Sequence, residues 1–258
     1  MSVELHHTVN GPADAPPLVL GGSLGSTLDM WEPQVDALSA RFRLIRIDHR
    51  GHGGSPDPEG PYTMADLGGD VIALLDRLGV ERAHYAGLSL GGMIGQWLAI
   101  EAPERIDRLV LMSTSPYMGP AQNWRDRAAV AREQGTGALA PGVVERWFTP
   151  DYAKEHPEDV ARFRSRITDT SDRGYAGCCG AIEGHDTRAD LGRIVAPTLV
   201  VSGAEDPSTP FEEHGSLLAE GIPGARNALV ENAAHLLSWE RSDRANALLV
   251  EHLTATAP

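Results

Sequence analysis

The chain is poor in cysteine, in aromatics and in positive charge, and it has no long apolar run. Its two cysteines, Cys178 and Cys179, are neighbours. Adjacent cysteines rarely bridge each other, and they offer no zinc-type spacing. A disulfide framework and a structural zinc are therefore excluded, and free thiols point to a reducing compartment, the cytoplasm. Aromatics make up 5% of the 258 residues, so each tryptophan is informative. Lysine and arginine number 22 against 36 acids, giving a net charge of -14. Such a surface disfavours nucleic acid and anionic membranes as partners. No run approaches the roughly 20 apolar residues of a membrane span. The start, Met1 to His7, has no basic n-region and no apolar h-region, so no signal peptide is expected. No H-E-x-x-H, P-loop or dinucleotide motif occurs, so neither a metal nor a nucleotide cofactor is expected.

What is present suits one large α/β domain with an insertion. Hydrophobic residues reach 41%, enough for a sizeable core. Strands are predicted at Val3 to Val9, Leu18 to Leu20, Phe42 to Asp48, around Ala83 to Ala86, Leu109 to Met112, Thr198 to Val201 and Ala228 to Val230. Helical spacing links Trp31, Val35 and Leu38. A second helix carries the stripe Met64, Leu67, Val71, Leu74, Leu75 and Leu78, with Thr63 as N-cap, Asp66 completing an acidic capping box, and Gly79 as the stop. A last helix is expected around Ala245 to Leu253. The alternation implies a mostly parallel sheet with helices on both faces. It breaks between Pro116 and Asp190, where helix-like segments occur without a convincing strand. The expected organisation is a core of 1–115 and 191–258, interrupted by a helical lid at 116–190.

The chain turns around Gly87-Leu88-Ser89-Leu90-Gly91, a G-x-S-x-G sequence between a strand and a helix. The reversal leaves no room for a Cβ two residues to either side of the serine, hence the two glycines. The following helix, with Met93, Ile94, Trp97 and Leu98 at helical spacing, aims its unpaired N–H groups and dipole at the turn. A serine needs a base, and the base needs an orienting acid. In the chain order Ser, acid, His, the acid falls just past a late strand: Asp206, with Glu205 as nearest rival. The histidine falls in the loop after the last strand: His235. Two backbone donors are expected to hold an oxyanion, Leu90 N–H after the serine and Leu24 N–H in the Gly22-Ser23-Leu24 loop. Arg50-Gly51-His52-Gly53 reads as a structural loop packed near the turn, and the paired cysteines as packing in the lid.

These features resemble the α/β-hydrolases, and more closely the 3-oxoadipate enol-lactonases of aromatic catabolism. The resemblance runs over nearly the whole chain. It rests on Ser23-Leu24-Gly25 with Met30-Trp31, Arg50-Gly51-His52-Gly53, Gly60-Pro61-Tyr62-Thr63 and the Ser89 turn. In the lid it rests on Trp124 with Arg127, Arg146-Trp147-Phe148-Thr149, and Gly174-Tyr175-Ala176 with Cys178. One departure is Gly22, where relatives more often carry a polar residue. The resemblance implies cofactor-free opening of an enol-lactone ring by Ser89, His235 and Asp206. The substrate would be a small anionic lactone or ester.

In a chain of net charge -14, a local cation must outweigh the background to hold such an anion. Trp124 and Arg127, three apart on a helix, form the first candidate pair, and Arg146 with Trp147 the second. Rival readings on the same fold are a carboxylesterase, a perhydrolase or a C–C hydrolase. A non-catalytic small-molecule receptor is the more distant rival. Oligomeric state is left open.

Overall fold

The computed structural model describes residues 2–255. Seven strands form one sheet: β1 (His7–Asn10), β2 (Pro17–Gly21), β3 (Arg43–Ile47), β4 (Ala83–Leu88), β5 (Ile106–Met112), β6 (Thr198–Gly203) and β7 (Arg226–Val230). Their spatial order is β1-β3-β2-β4-β5-β6-β7, with β1 antiparallel to β3 and the remaining pairs parallel. Central β4 is buried along its whole length, as a strand covered on both faces must be. The edge strand β7 is largely exposed.

The chain runs outward from β2 to β3, then returns to place β4 on the other side of β2. This reversal is a topological switch point, and it opens a crevice at the carboxyl ends of β2 and β4. Gly21 and Gly87 stand opposite each other there.

Helices flank the sheet: α1 (Val35–Ser39), α2 (Met64–Arg77), α3 (Leu90–Glu101), then five in the segment between β5 and β6, and finally α9 (Ser216–Gly221), α10 (Leu237–Glu240) and α11 (Ser242–Thr254). The capping box at α2 forms as its sequence implies, with Thr63 Oγ1 accepting from Asp66 N and Asp66 accepting from Thr63 N. Two expectations need correction. The predicted strand from Val3 to Val9 is shortened to His7–Asn10, because the earlier amides bond to side chains, Val3 N to Asp70 and His6 N to Ser55. The helix expected through Trp31, Val35 and Leu38 starts as a 3-10 turn over Leu28–Gln34, since Pro33 offers no N–H to an α-helical ladder.

Between β5 and β6 lie α4 (Ala121–Gln134), α5 (Thr136–Val144), α6 (Pro150–Glu155), α7 (Pro157–Thr168) and α8 (Asp172–Glu183). An isolated bridge between Tyr117 and Asp186 closes the base of this helical segment. It docks on the core through α7 and α8. Arg162 and Arg166 reach Glu32 and Asp29, each at 2.6 Å, and Arg173 reaches Asp57 at 3.0 Å. Exposed pairs of this kind contribute little, because solvent screens them. Apolar burial contributes more: Ile167, Tyr175, Cys178 and Cys179 are wholly buried. Burial pushes the Cys178 thiol up and lifts that of Cys179 to about 12. The pair packs as inert small side chains.

Candidate active site

Ser89 sits at the turn between β4 and α3 with φ 57° and ψ -114°. A non-glycine residue in this region is strained and must be held by its surroundings. Backbone bonds do so: Ser89 N donates to Met112 O at 2.9 Å, and Met93 N to Ser89 O at 3.1 Å. Thr114 Oγ1 donates to Ser89 O at 2.7 Å. A Cβ on Gly87 would lie 2.2 Å from Gly91 O, inside the turn itself. A Cβ on Gly91 would lie 2.2 Å from Gly21 O, at the end of the neighbouring strand. The second glycine thus answers to tertiary packing of the turn on β2, a cause that local sequence does not reveal.

Opposite the turn, Gly22 to Ser26 form a tight loop. Its flanking amides are engaged. Ser23 N donates to Met30 Sδ at 3.3 Å, and Gly25 N to His52 Nε2 at 2.8 Å. Leu24 N, between them, has no partner among the described residues. The other side repeats the pattern. Ser89 N and Gly91 N are bonded to Met112 O and Gly22 O, while Leu90 N, first in α3, precedes the intrahelical ladder. His49 Nε2 bonds Gly22 O at 3.0 Å. Because His52 Nε2 accepts from an amide, its proton sits on Nδ1, which faces Arg50 O at 3.2 Å. Burial lowers both imidazoles, His49 to about 4, so both are neutral near pH 7. Arg50 in the same loop clamps Asp70 through Nε at 2.6 Å and Nη2 at 2.7 Å. The loop is a brace for the Gly22–Ser26 segment, as its glycines and charges suggest.

His235 lies in the loop after β7, reached through Asn232 at φ 54°. Its Nδ1 is 2.8 Å from Asp206 Oδ2. Asp206 is buried, whereas Glu205 is exposed. Thr209 Oγ1 donates to the same Oδ2 at 2.6 Å, and Ser208 N and Thr209 N donate to Oδ1 at 2.8 and 3.2 Å. Burial works to raise the Asp206 pKa, but His235 and these donors outweigh it and hold the carboxyl at about 2. A carboxylate ionised at neutral pH can fix the imidazole ring and its tautomer.

A cavity of about 350 Å³ joins these parts. Leu24, Ser89 and His235 are among its lining residues. Met93, Met118, Gly119, Asn123, Val143, Ile182 and Pro207 to Thr209 line it as well, together with Trp124, Arg127, Arg146 and Trp147 from the helical segment. Leu90 and Asp206 are not among its lining residues. Trp124 and Arg127 share one face of α4, with the guanidinium 5.3 Å from the indole centroid. Arg127 Nε also donates to Tyr175 OH at 2.8 Å. Arg146 and Trp147 follow α5 in a turn, so the opposed directions expected of helix neighbours do not apply, and both reach the cavity. Burial and then the charge of Arg127 lower the Arg146 pKa. No carboxylate lies within ion-pair distance of Arg127 or Arg146 among the described residues. Among the described residues, no group of three His, Cys, Asp or Glu side chains is placed to hold a metal.

Sequence reasoning missed Thr209, and it quoted Tyr175 only within the lid segment that carries the resemblance, without a role at the cavity. Thr209 had a signal, since a Ser or Thr shortly after an Asp in a loop commonly bonds its carboxylate. Tyr175 had none at this site.

A switch-point crevice capped by helices, with a serine held on a strained strand-to-helix turn, defines the class of α/β hydrolases. A family model described as the alpha/beta hydrolase fold matches residues 16–242, and the chain belongs to that family. It is a hydrolase with relatives of known name. It is 40% identical to 3-oxoadipate enol-lactonase 2 of Acinetobacter baylyi, over 95% of this chain and 91% of that protein. A crystal structure of the enol-lactonase from Burkholderia xenovorans is 42% identical, covers 98% of this chain and 97% of its own, and superposes with a TM-score of 0.95. A hydrolase structure from Pseudomonas aeruginosa is 44% identical, covers 98% and 95%, and gives 0.94. No helix among the described residues is long and apolar enough to cross a membrane.

Proposed function

We propose that the protein opens the ring of 3-oxoadipate enol-lactone, giving 3-oxoadipate in the beta-ketoadipate route of aromatic catabolism. Ser89 Oγ attacks the lactone carbonyl while His235 Nε2 takes its proton. The oxyanion is held by Leu24 N–H and Leu90 N–H, each contributing about 3 kcal/mol to the transition state. The ring C–O bond breaks, and His235 returns the proton to the departing enol oxygen. This leaving group ketonises, which makes the step hard to reverse. Water, deprotonated by His235, then attacks the acyl-enzyme. Its collapse frees the new carboxylate and restores Ser89. Asp206 orients the imidazole and offsets its charge. Residues 116–190 act as the lid over this chemistry, and the free, buried cysteines agree with a cytoplasmic setting.

The observation that carries the substrate assignment is the pair of guanidiniums without a carboxylate partner that the helical segment contributes to the cavity lining. A neutral ester gives them nothing to bind. The carboxymethyl group of the enol-lactone supplies the missing anion, and charge-assisted bidentate bonds to Arg127 suit it. Ultraviolet-monitored turnover of freshly generated enol-lactone tests the reading against a panel of simple esters. Faster turnover of uncharged esters than of the lactone would replace it with a general carboxylesterase.

A further inference from the structure

Glu240, the last residue of α10, is buried, and no cation lies within ion-pair distance among the described residues. Its carboxylate is satisfied by neutral donors from two separate segments. Oε2 accepts from Ala234 N at 2.9 Å. Oε1 accepts from Thr149 N at 3.2 Å and from Thr149 Oγ1 in a shorter contact. Ala234 immediately precedes His235. Thr149 follows the Arg146–Trp147 turn and caps α6 through a bond from Tyr152 N at 3.3 Å. On the other flank of His235, Leu236 N donates to Trp147 O at 2.9 Å. The residues on both sides of His235 are therefore tied to the helical segment over the cavity, one through Glu240 and one directly.

We propose that Glu240 is a positioning residue that locks the His235 loop to the Arg146–Thr149 wall, so that one buried carboxylate sets the alignment of the base and the position of the cavity wall together. The chemistry requires an acceptor on both oxygens, because every group facing them is a donor. A glutamine has one acceptor oxygen and must turn its NH2 against either Ala234 N–H or the Thr149 donors. A buried donor left facing a donor is costly, and the loop relaxes away from it.

This inference rests on Ser89 and His235 acting as nucleophile and base, and the test separates the two ideas. The readout is the rate at which diisopropyl fluorophosphate, a small uncharged reagent, inactivates the full-length protein, beside its thermal midpoint. An unreactive wild type would remove the Ser89–His235 reading itself. With a reactive wild type, Glu240→Gln should react ten- to a hundredfold more slowly, the scale of a base displaced by about 1 Å. The Asp206–His235 low-field proton resonance should broaden or shift. Wild-type reactivity in folded Glu240→Gln would overturn the proposal. Thr149 does not line the cavity, so Thr149→Val is the sharper variant and serves also if Glu240→Gln fails to fold. It should slow inactivation severalfold while Thr149→Ser restores it. An unchanged rate in Thr149→Val, or a loss that Thr149→Ser does not restore, would show that the contact merely packs.

Discussion

The two ends of the cavity are built in different ways. At the sheet end, the turn that carries Ser89 is held mainly by main chain. Ser89 hangs between Met112 O and the first turn of α3, and Gly91 N reaches across to Gly22 O. At the helical end, positions are held by side chains. Arg127 leans on the Trp124 and Tyr175 rings and on the Tyr175 hydroxyl, and Arg146 projects from a turn. Backbone bonding leaves little freedom, since displacing one amide shifts a strand end. Side-chain bonding can be rewritten one residue at a time. The first arrangement suits chemistry shared by many hydrolases. The second suits the choice of substrate, and it is where relatives on one fold can differ without refolding.

If this contrast is right, changes at the sheet end should act on kcat and changes at the helical end on KM. The largest effect is expected from Ser89→Ala. Turnover should fall by about 10⁵ to 10⁶, the scale seen when a triad nucleophile is removed, with circular dichroism and thermal midpoint unchanged. Wild-type turnover in the folded variant would end the account of the sheet end altogether.

Asp206→Asn should cost about 10⁴ in kcat by favouring the wrong imidazole tautomer, and Glu205→Gln almost nothing. The opposite result would move the acid by one residue. The same carboxylate has a stability signature. Its pKa falls from an ordinary 3.8 to about 2 on folding. It therefore stabilises the folded state fully above about pH 4, and that share is lost as pH drops towards 2. In urea melts, the stability gap between wild type and Asp206→Asn should narrow across that window. A gap independent of pH would mean that Asp206 is not the group held low.

His52→Ala removes the acceptor of Gly25 N and loosens the loop that carries Leu24. We expect kcat to fall about tenfold to a hundredfold, as for partial loss of an oxyanion donor, with KM little changed. A change in KM alone would contradict the division between the two ends.

The smallest effect sharpens the other side. Arg127→Ala should raise KM for the anionic lactone about tenfold, the scale of one charge-assisted hydrogen bond. It should barely touch p-nitrophenyl acetate. Equal losses on both substrates would show that Arg127 serves mainly to hold Tyr175. Arg146→Ala provides the comparison for the second cation.

How much of this was legible beforehand follows from how far apart the interacting residues are in the chain. The alternating strands and helices, the capping box of Thr63 and Asp66, and the G-x-S-x-G turn are local. Their causes act within one element or one turn, so residue spacing carries them. The chain order Ser89, Asp206, His235 is a reading of position in the chain, because each residue follows a strand that spacing already marks. The preference for Asp206 over Glu205 needed burial and a 2.8 Å contact to His235. The free amide of Leu24 depends on Met30 and His52 engaging its neighbours. The seat of Arg127 depends on Tyr175, 48 residues away, and the link between the His235 loop and the Arg146–Thr149 segment depends on Glu240 meeting Thr149 across 91 residues. Periodicity and spacing report what neighbours along the chain do for one another. Such pairs exist only after the sheet has brought distant loops to the same edge, and only the tertiary structure decides them.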